Sequence, residues 1–188
     1  MWYDINGNIT YQPVAEDRVY LGNSLPNHFG GFQNAFYYKG FEAIVFFNYE
    51  YGRVIADGQH NFLRENGSRL TINALREVAD RRWTTPGQIT DIPRPYAGGP
   101  EVRSVNMNTG SAVLLKADYI RLKQLTLAYN FNREFVKGLG LSSVRVFAQG
   151  INLWTYADYP GYDPEFLGAA TGIIPQTKNY TLGIQAGF

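Results

Sequence analysis

The sequence contains no cysteine, carries almost no net charge and has no long apolar run. Without cysteine it can form no disulfide, thiolate nucleophile or Cys-ligated metal site. A net charge of +1 gives no electrostatic basis for binding nucleic acid or for a polybasic membrane anchor. The longest apolar run, 43–47, is far too short for a transmembrane helix. If the chain crosses a membrane, it must do so with β-strands.

Motifs for export and for catalysis are also missing. Segment 1–4 has neither the basic nor the apolar region of a signal peptide, so we expect a mature protein, a cytoplasmic one or part of a longer one. No phosphate loop, nucleophile elbow or zinc motif occurs, and His28 and His60 stand alone without ligand spacing. Nothing places Asp163 and Glu165 across a cleft, as glycosidase carboxylates require. The sequence predicts no enzyme and no cofactor, and it contains no candidate catalytic residue.

One short stretch superficially resembles a calcium loop. Asp4, Asn6 and Asn8 carry oxygen ligands at alternate positions. An EF-type loop needs glycine at its sixth position and glutamate at its twelfth, where this sequence has Ile9 and Ala15. A turn centred on the Asn-Gly pair is the better interpretation, and no metal site is predicted.

Alternation of apolar and polar side chains predicts an all-β fold of antiparallel strands. The predicted strands are 29–38, 41–51, 118–131, 141–153 and 178–188. The first two are joined only by Lys39–Gly40, and a two-residue link ending in glycine fits a tight hairpin turn. In the third strand the apolar phase changes at Lys123, which predicts a bulge or a membrane boundary there.

The final strand ends on an aromatic residue, as the closing strand of an outer-membrane β-barrel does. Its even positions hold Tyr180, Leu182, Ile184, Ala186 and Phe188. Its odd positions hold small or polar residues, so one face of the strand is apolar and the other polar. In a sandwich the apolar face would meet a second sheet, whereas in a membrane barrel it would meet lipid.

The connections between strands alternate between short and long. Segments 39–40 and 132–140 are short, whereas 52–117 and 154–177 are long. Outer-membrane barrels have short periplasmic turns and long extracellular loops, so both long segments are predicted to be extracellular. Apolar residues at helical spacing within 70–83 predict a helix in the first of these loops, and 132–140 is predicted to be a turn or a short helix.

A series of short stretches runs along nearly the whole chain. They are Gly22–Pro26, Phe29–Phe32, Tyr38–Phe41, Phe46–Phe47, Tyr51–Gly52, Arg82–Thr84, Asp91–Arg94, Tyr119–Lys123, Leu125–Tyr129, Asn152–Leu153, Asp163–Glu165 and the terminal Phe188. In order and spacing they resemble the C-terminal end of the SusC/RagA family of TonB-dependent outer-membrane receptors. Five strands cannot close a membrane barrel, which needs at least about eight, so we expect the C-terminal part of a larger protein or strands supplied from elsewhere.

The resemblance implies the last strands of a transmembrane β-barrel of about 22 strands, located in the cell outer membrane. It also implies import of oligosaccharides or peptides, energised by a TonB complex and assisted by a SusD-like surface lipoprotein that closes over the mouth as a lid. The plug domain is absent from this sequence, so the chain alone is expected to be neither gated nor energised. The residues expected to form the signal read by the barrel-assembly machinery are Tyr180, Leu182, Ile184 and Phe188.

Aromatic residues concentrate in or beside the two long loops. The candidate substrate-binding residues are Trp83, Arg94, Tyr96, Trp154, Tyr156, Tyr159, Tyr162 and Asp163. Flat rings beside carboxylates and guanidinium groups suit sugars, which offer apolar ring faces and many hydroxyls. For any single one of these aromatics, packing within the loops or a place in an outer aromatic girdle is the favoured interpretation, and the sequence leaves the alternatives open.

Two other functions are compatible with the sequence. A free-standing β-sandwich module that binds carbohydrate would present the same aromatics, but it must bury one apolar face under a second sheet. The residues of that face are Phe41, Val45, Phe47 and Tyr49. A barrel leaves them to lipid or detergent, so their exposure distinguishes the two. The third possibility is a structural or adhesive outer-membrane protein without cargo.

Overall fold

The computed structural model describes residues 2–10, 13–58, 63, 73–90, 92, 94, 114–166 and 174–188. The chain divides into two compact units. The sheet unit comprises Leu25–Arg53, Lys116–Glu165 and Ile173–Phe188. The loop unit comprises Met1–Ser24, Val54–Leu115 and Phe166–Gly172.

The sheet unit is built from five antiparallel strands and one short helix. Its strands are β3 (His28–Tyr38), β4 (Phe41–Tyr51), β7 (Tyr119–Asn130), β8 (Ser143–Ala157) and β9 (Asn179–Gly187), and its helix is α2 (Arg133–Lys137). The strand order is β3-β4-β7-β8-β9, so every neighbour in the sheet is also the next of these strands along the chain. The predicted antiparallel β fold is confirmed. Within the described residues the sheet does not close, because β3 and β9 lie at its two edges.

Among the described residues, the elements of the loop unit with complete bounds are short. They are β1 (Trp2–Tyr3), β2 (Ile9–Thr10), a 3₁₀ turn (Ala15–Asp17), β5 (Val54–Ala56), helix α1 (Arg76–Arg81) and β6 (Leu114–Lys116), whose last residue belongs to the sheet unit. The helix predicted within 70–83 is shorter than expected, because Leu75 is extended and α1 begins after it. Residues 70–72 lie outside the described residues. No helix in the described part of the chain is long and apolar enough to span a membrane.

The hairpin between β3 and β4 turns at Lys39 and Gly40. Both residues have positive φ, of 46° and 87°, which is the requirement of a type I′ turn and matches the right-handed twist of the strands. A side chain at Gly40 would meet the carbonyl oxygen of Asn130 at 2.6 Å. The turn sets the register, so Tyr38 lies directly opposite Phe41.

The five strands form a sheet with two different faces, which we call the apolar face and the polar face. One complete row across the apolar face is Phe36, Ala43, Leu127, Ala148 and Leu182. Phe41 and Tyr49 on this face are exposed, at 63% and 41%, and no second sheet covers them in the part of the chain that the structure describes. A sandwich would bury these side chains, so the geometry does not match one.

A bulge interrupts the sheet where the apolar phase changes. Between Leu122 and Gln124 the pairing of β7 with β8 shifts, and Asn152 in β8 has a positive φ of 54°. Lys123 is the extra residue in β7, because Gln124 and Leu122 pair with the neighbours Phe46 and Phe47 of β4. Leu122 therefore lies on the apolar face although Leu125 and Leu127 are odd-numbered. The bulge predicted at Lys123 is confirmed. Beyond it, β8 continues to Ala157 and so runs further than the predicted strand end at Leu153.

Candidate functional site

A segment of the second long connection lies against the polar face and is held there by charge. Arg121 in β7 donates through Nη2 to Asp163 Oδ1 at 2.6 Å and through Nη1 to Glu165 Oε2 at 2.8 Å. Its Nε donates to Thr155 Oγ1 of β8 at 2.9 Å. The Arg121 side chain is only 4% exposed. Since an arginine in this position satisfies two carboxylates and one hydroxyl, it joins the segment to two strands at once.

Glu165 is the centre of the same network. Its Oε2 also accepts from Lys123 Nζ at 2.8 Å and from Gln176 Nε2 at 2.7 Å. Lys123 Nζ in turn donates to Gln176 Oε1 at 2.9 Å. We call Arg121, Lys123, Asp163, Glu165 and Gln176 the ion-pair cluster. It fixes both sides of the connection between β8 and β9 to the wall formed by β7.

The charge state of Asp163 follows from its surroundings. Burial alone would raise the pKa of this carboxyl, but the hydrogen bond from Arg121 and those from the backbone N–H groups of Gln176 and Glu165 hold its pKa below the ordinary value. Both backbone bonds are 3.0 Å long. Asp163 is therefore ionised at neutral pH, and its charge is matched by Arg121.

The start of the first long connection is tied to the same region. The Arg53 side chain is fully buried and forms an ion pair with Glu50 at 2.7 Å. Its Nη2 also donates to the carbonyl oxygen of Pro164. Asp118 Oδ1 accepts from the backbone N–H of Gly52 at 2.6 Å. Both long connections therefore leave the sheet from positions fixed by hydrogen bonds.

A second charged group lies on the polar face towards the other end of the strands. Arg145 in β8 pairs with Glu42 of β4 at 3.0 Å and donates to Gln185 of β9 at 3.2 Å. Its guanidinium lies 5.1 Å from the ring centre of Phe147. Side chains on the polar face are therefore hydrogen-bonded from strand to strand. The apolar face presents side chains that are suited to contact with lipid or with another nonpolar surface.

Trp154 and Tyr156 are placed by β8 rather than by a loop. They pair with Leu122 and Ile120, and so they share the apolar face. Both are exposed, and their rings stack with centroids 6.4 Å apart. This position suits an aromatic girdle, one of the interpretations that the sequence left open. Their role in substrate binding stays a prediction.

The other tyrosines of this region differ in exposure. Tyr159 is buried, and its ring lies over Gly161. Tyr162 is exposed and precedes Asp163, which is buried in the ion-pair cluster. Among these residues Tyr162 is the one whose ring is free to meet a ligand, and this too stays a prediction.

Trp83 and Arg94 come together in the loop unit. With Arg82 and Thr84 they line a cavity of about 450 Å³, which we call the arginine pocket. Tyr96, the remaining candidate, lies outside the described residues. No cluster of three or more metal-ligating side chains occurs among the residues that the structure describes. Asp4 instead accepts hydrogen bonds from the backbone N–H groups of Asn8 and Asn6 at 2.7 and 2.9 Å, which lower its pKa.

Four residues were expected to form the assembly signal, and all are exposed. They are Tyr180, Leu182, Ile184 and Phe188. The first three pair with Gly150, Ala148 and Val146 and lie on the apolar face. Their function as a signal stays a prediction.

Sequence reasoning missed the cationic half of the ion-pair cluster. Arg121 and Lys123 lie in a strand that is otherwise mostly apolar, and two cations on either side of Leu122 were the available signal. Buried charges need partners, so these cations pointed to carboxylates elsewhere in the chain. Which carboxylates they meet depends on the fold, because Asp163 lies 42 residues after Arg121.

The chain matches curated receptors along almost its whole length. It is 32% identical over 98% of its length to TonB-dependent receptor P3 of Formosa agariphila and 31% identical over 93% to TonB-dependent receptor P39 of the same organism. It spans only 18% and 16% of these two relatives. No protein-family model matches the chain.

Solved structures contain the same arrangement of strands. The whole chain matches 20% of a chain in the RagAB peptide importer in its open-open state, with a TM-score of 0.81 and 26% identity. The closed-closed state gives a TM-score of 0.79 and 27% identity over 99% of the chain.

These matches place the chain in the TonB-dependent receptor family, as a segment homologous to about a fifth of those receptors. Receptors of this family are transporters of the outer membrane and not enzymes. More narrowly, the chain is homologous to the SusC-like receptor RagA of the RagAB importer. The family expected from the sequence is confirmed.

Proposed function

We propose that this chain forms part of the wall and two extracellular loops of a closed transmembrane β-barrel that imports peptides or oligosaccharides with energy from a TonB complex. The observation that carries the proposal is the division of the sheet into an exposed apolar face and a hydrogen-bonded polar face. Lipid needs no hydrogen-bonding partner, whereas a water-filled lumen accepts charged side chains such as Arg145. Homology to a peptide importer supports the same assignment.

The dimensions of β4 support a membrane-spanning strand. Its 11 residues extend about 33 Å at ~3.3 Å per residue. At a tilt of roughly 40° this gives a height of about 25 Å, which is the height of the apolar band of an outer-membrane barrel. Phe41 lies at one end of the strand and Tyr51 at the other, as aromatic girdles require.

The cargo is proposed to be peptide in the first place and oligosaccharide as the second candidate. The RagAB complex, to which the chain is similar, is a peptide importer. Exposed Tyr162 would also suit a sugar ring. By the same relationship we propose a SusD-like surface lipoprotein as the partner, with the TonB complex engaged through parts of the receptor outside this chain.

Strands β3 and β9 are proposed to pair with further strands of the same barrel. An unpaired edge cannot be exposed to lipid, because each unsatisfied backbone group costs several kcal/mol there. Lipid would surround the apolar face, and the barrel-assembly machinery would read β9 together with Phe188, which follows it.

Two experiments test the proposal. First, the chain is expressed with a signal peptide, alone and together with the rest of the receptor, and heat-modifiable gel mobility is measured in outer-membrane fractions. We expect insertion only in the presence of the other strands. A soluble, cooperatively folding chain in plain buffer would contradict the barrel.

The second experiment measures uptake of labelled peptides and oligosaccharides by cells that carry or lack the whole receptor. Peptide uptake that needs both the receptor and TonB is expected. Equal uptake with and without the receptor would overturn the transport function.

A further inference from the structure

The arginine pocket has a rigid backbone framework. Trp83 N donates to the carbonyl oxygen of Ile92 at 2.9 Å. Gln88 Oε1 accepts from Thr84 N at 2.7 Å and from Thr84 Oγ1 at 3.0 Å, and Gln88 Nε2 donates to Arg82 O at 3.2 Å. Ile92, whose carbonyl oxygen accepts the bond from Trp83, is fully buried. A site held in this way loses little conformational freedom when a ligand binds, which favours affinity.

The two arginines of the pocket differ from their neighbours on α1. Arg76 pairs with Asp80 at 3.3 Å and Arg81 with Glu77 at 3.6 Å, both one helical turn apart. By contrast, no described carboxylate forms an ion pair with Arg82 or Arg94. The pocket therefore presents two guanidinium groups whose charge the described part of the chain does not neutralise.

The chemistry of the lining defines the ligand. A guanidinium offers parallel N–H donors that match the two oxygens of a carboxylate. The indole of Trp83 offers an apolar face for the carbon chain that bears the carboxylate. Thr84 Oγ1 donates to Gln88 and keeps lone pairs to accept a peptide N–H. A peptide that carries a carboxylate satisfies all three groups: the carboxylate pairs with a guanidinium, its carbon chain packs on the indole, and a peptide N–H donates to Thr84 Oγ1.

We propose that the arginine pocket binds a carboxylate of the peptide cargo, either an Asp or Glu side chain or the C-terminus. This inference rests on the proposed function, because it takes peptide as the cargo. Two cations also disfavour Lys- and Arg-rich peptides, so the pocket would select among cargoes as well as bind them.

The test uses the whole receptor in detergent and three labelled peptides of equal length, with binding followed by fluorescence anisotropy. The first peptide has glutamates and a free C-terminus, the second has glutamine in place of glutamate, and the third is also amidated. Arg82→Gln and Arg94→Gln are each expected to weaken binding of the first peptide by about fivefold to tenfold. Arg76→Gln is the matched control, since Arg76 is 93% exposed and already paired.

The outcomes separate the inference from the function on which it rests. We expect the neutral amidated peptide to bind wild type and both variants equally, and the second peptide shows which carboxylate the pocket uses. Equal weakening of the charged and the neutral peptide, or no change for either, overturns the carboxylate site while peptide binding stands. If no peptide binds wild type, the peptide function itself fails. Arginine-dependent binding of a uronate oligosaccharide alone overturns the peptide as occupant.

Discussion

Replacing Arg121 by methionine should release the connection between β8 and β9 from the sheet. The substitution keeps an unbranched apolar side chain but removes the guanidinium donors that reach Asp163 and Glu165 at 2.6 and 2.8 Å. Asp163 is then left as a buried carboxylate without its cation. The remaining partners, Lys123 and Gln176, hold Glu165 but do not reach Asp163 with a charge.

The size of the effect follows from burial. Removing one partner of a buried ion pair costs about 3–5 kcal/mol. Glu165 is partly exposed and retains other partners, so we expect about 2–4 kcal/mol for the local opening of the segment. This corresponds to a rise in amide exchange of about 30- to 1,000-fold. The loss is local, since the ladders between strands do not depend on Arg121.

Hydrogen–deuterium exchange on the whole receptor measures this directly. The amide of Gln176 is the best reporter, because it donates to Asp163 Oδ2 at 3.0 Å. Arg145→Met is the matched control, since it breaks an ion pair with Glu42 on the same face without touching the segment. If exchange at Gln176 is unchanged in the Arg121 variant, or rises equally in both variants, then the ion pairs of Arg121 do not hold this connection against the sheet.

Three further predictions concern pH, the two faces and the tight turn. The pKa of Asp163 is lowered in the folded chain. The stability that its charge adds is therefore complete above about pH 3.9, the pKa of aspartate in the unfolded chain, and is lost as pH falls through the folded value. Amide exchange at Gln176 should rise only in strong acid, and Asp163→Asn should remove this rise. Leu182→Arg should cost about 2–4 kcal/mol on a lipid-facing strand and reduce heat-modifiable barrel in outer-membrane fractions, whereas Thr181→Arg on the other face should assemble normally. Gly40→Val should lower the melting temperature of the barrel, because the residue has φ of 87° and a β-branched side chain there costs about 1–3 kcal/mol; an unchanged melting temperature would contradict the I′ turn.

The sheet was predictable because each strand carries its own local signal. Alternation along β4 and β9 gives the faces without knowledge of the neighbours, since a strand's side chains alternate by backbone geometry. The change of phase at Lys123 gave the bulge for the same reason. These features depend on consecutive residues, so the sequence alone was sufficient.

The ends of elements and the long-range contacts were not predictable in this way. Strand β8 continues beyond Asn152, whose positive φ of 54° interrupts the regular strand geometry, and the sequence therefore placed Trp154 in a loop. The partner of Arg121 depends on how the connection after β8 folds back. The described residues that line the arginine pocket come from two stretches of the chain, which a backbone bridge between Arg82 and Ile92 brings together, and no local pattern predicts this contact.

The bulge in β7 lets one residue of the strand be lost without exchanging its two faces. Lys123 is the extra residue, since Gln124 and Leu122 lie opposite the neighbours Phe46 and Phe47 of β4. Deleting Lys123 would join Leu122 directly to Gln124, so Arg121 would stay on the polar face and Leu122 on the apolar face. The ion-pair cluster would lose one cation, and a single lost codon would shorten the wall without giving the membrane a charge.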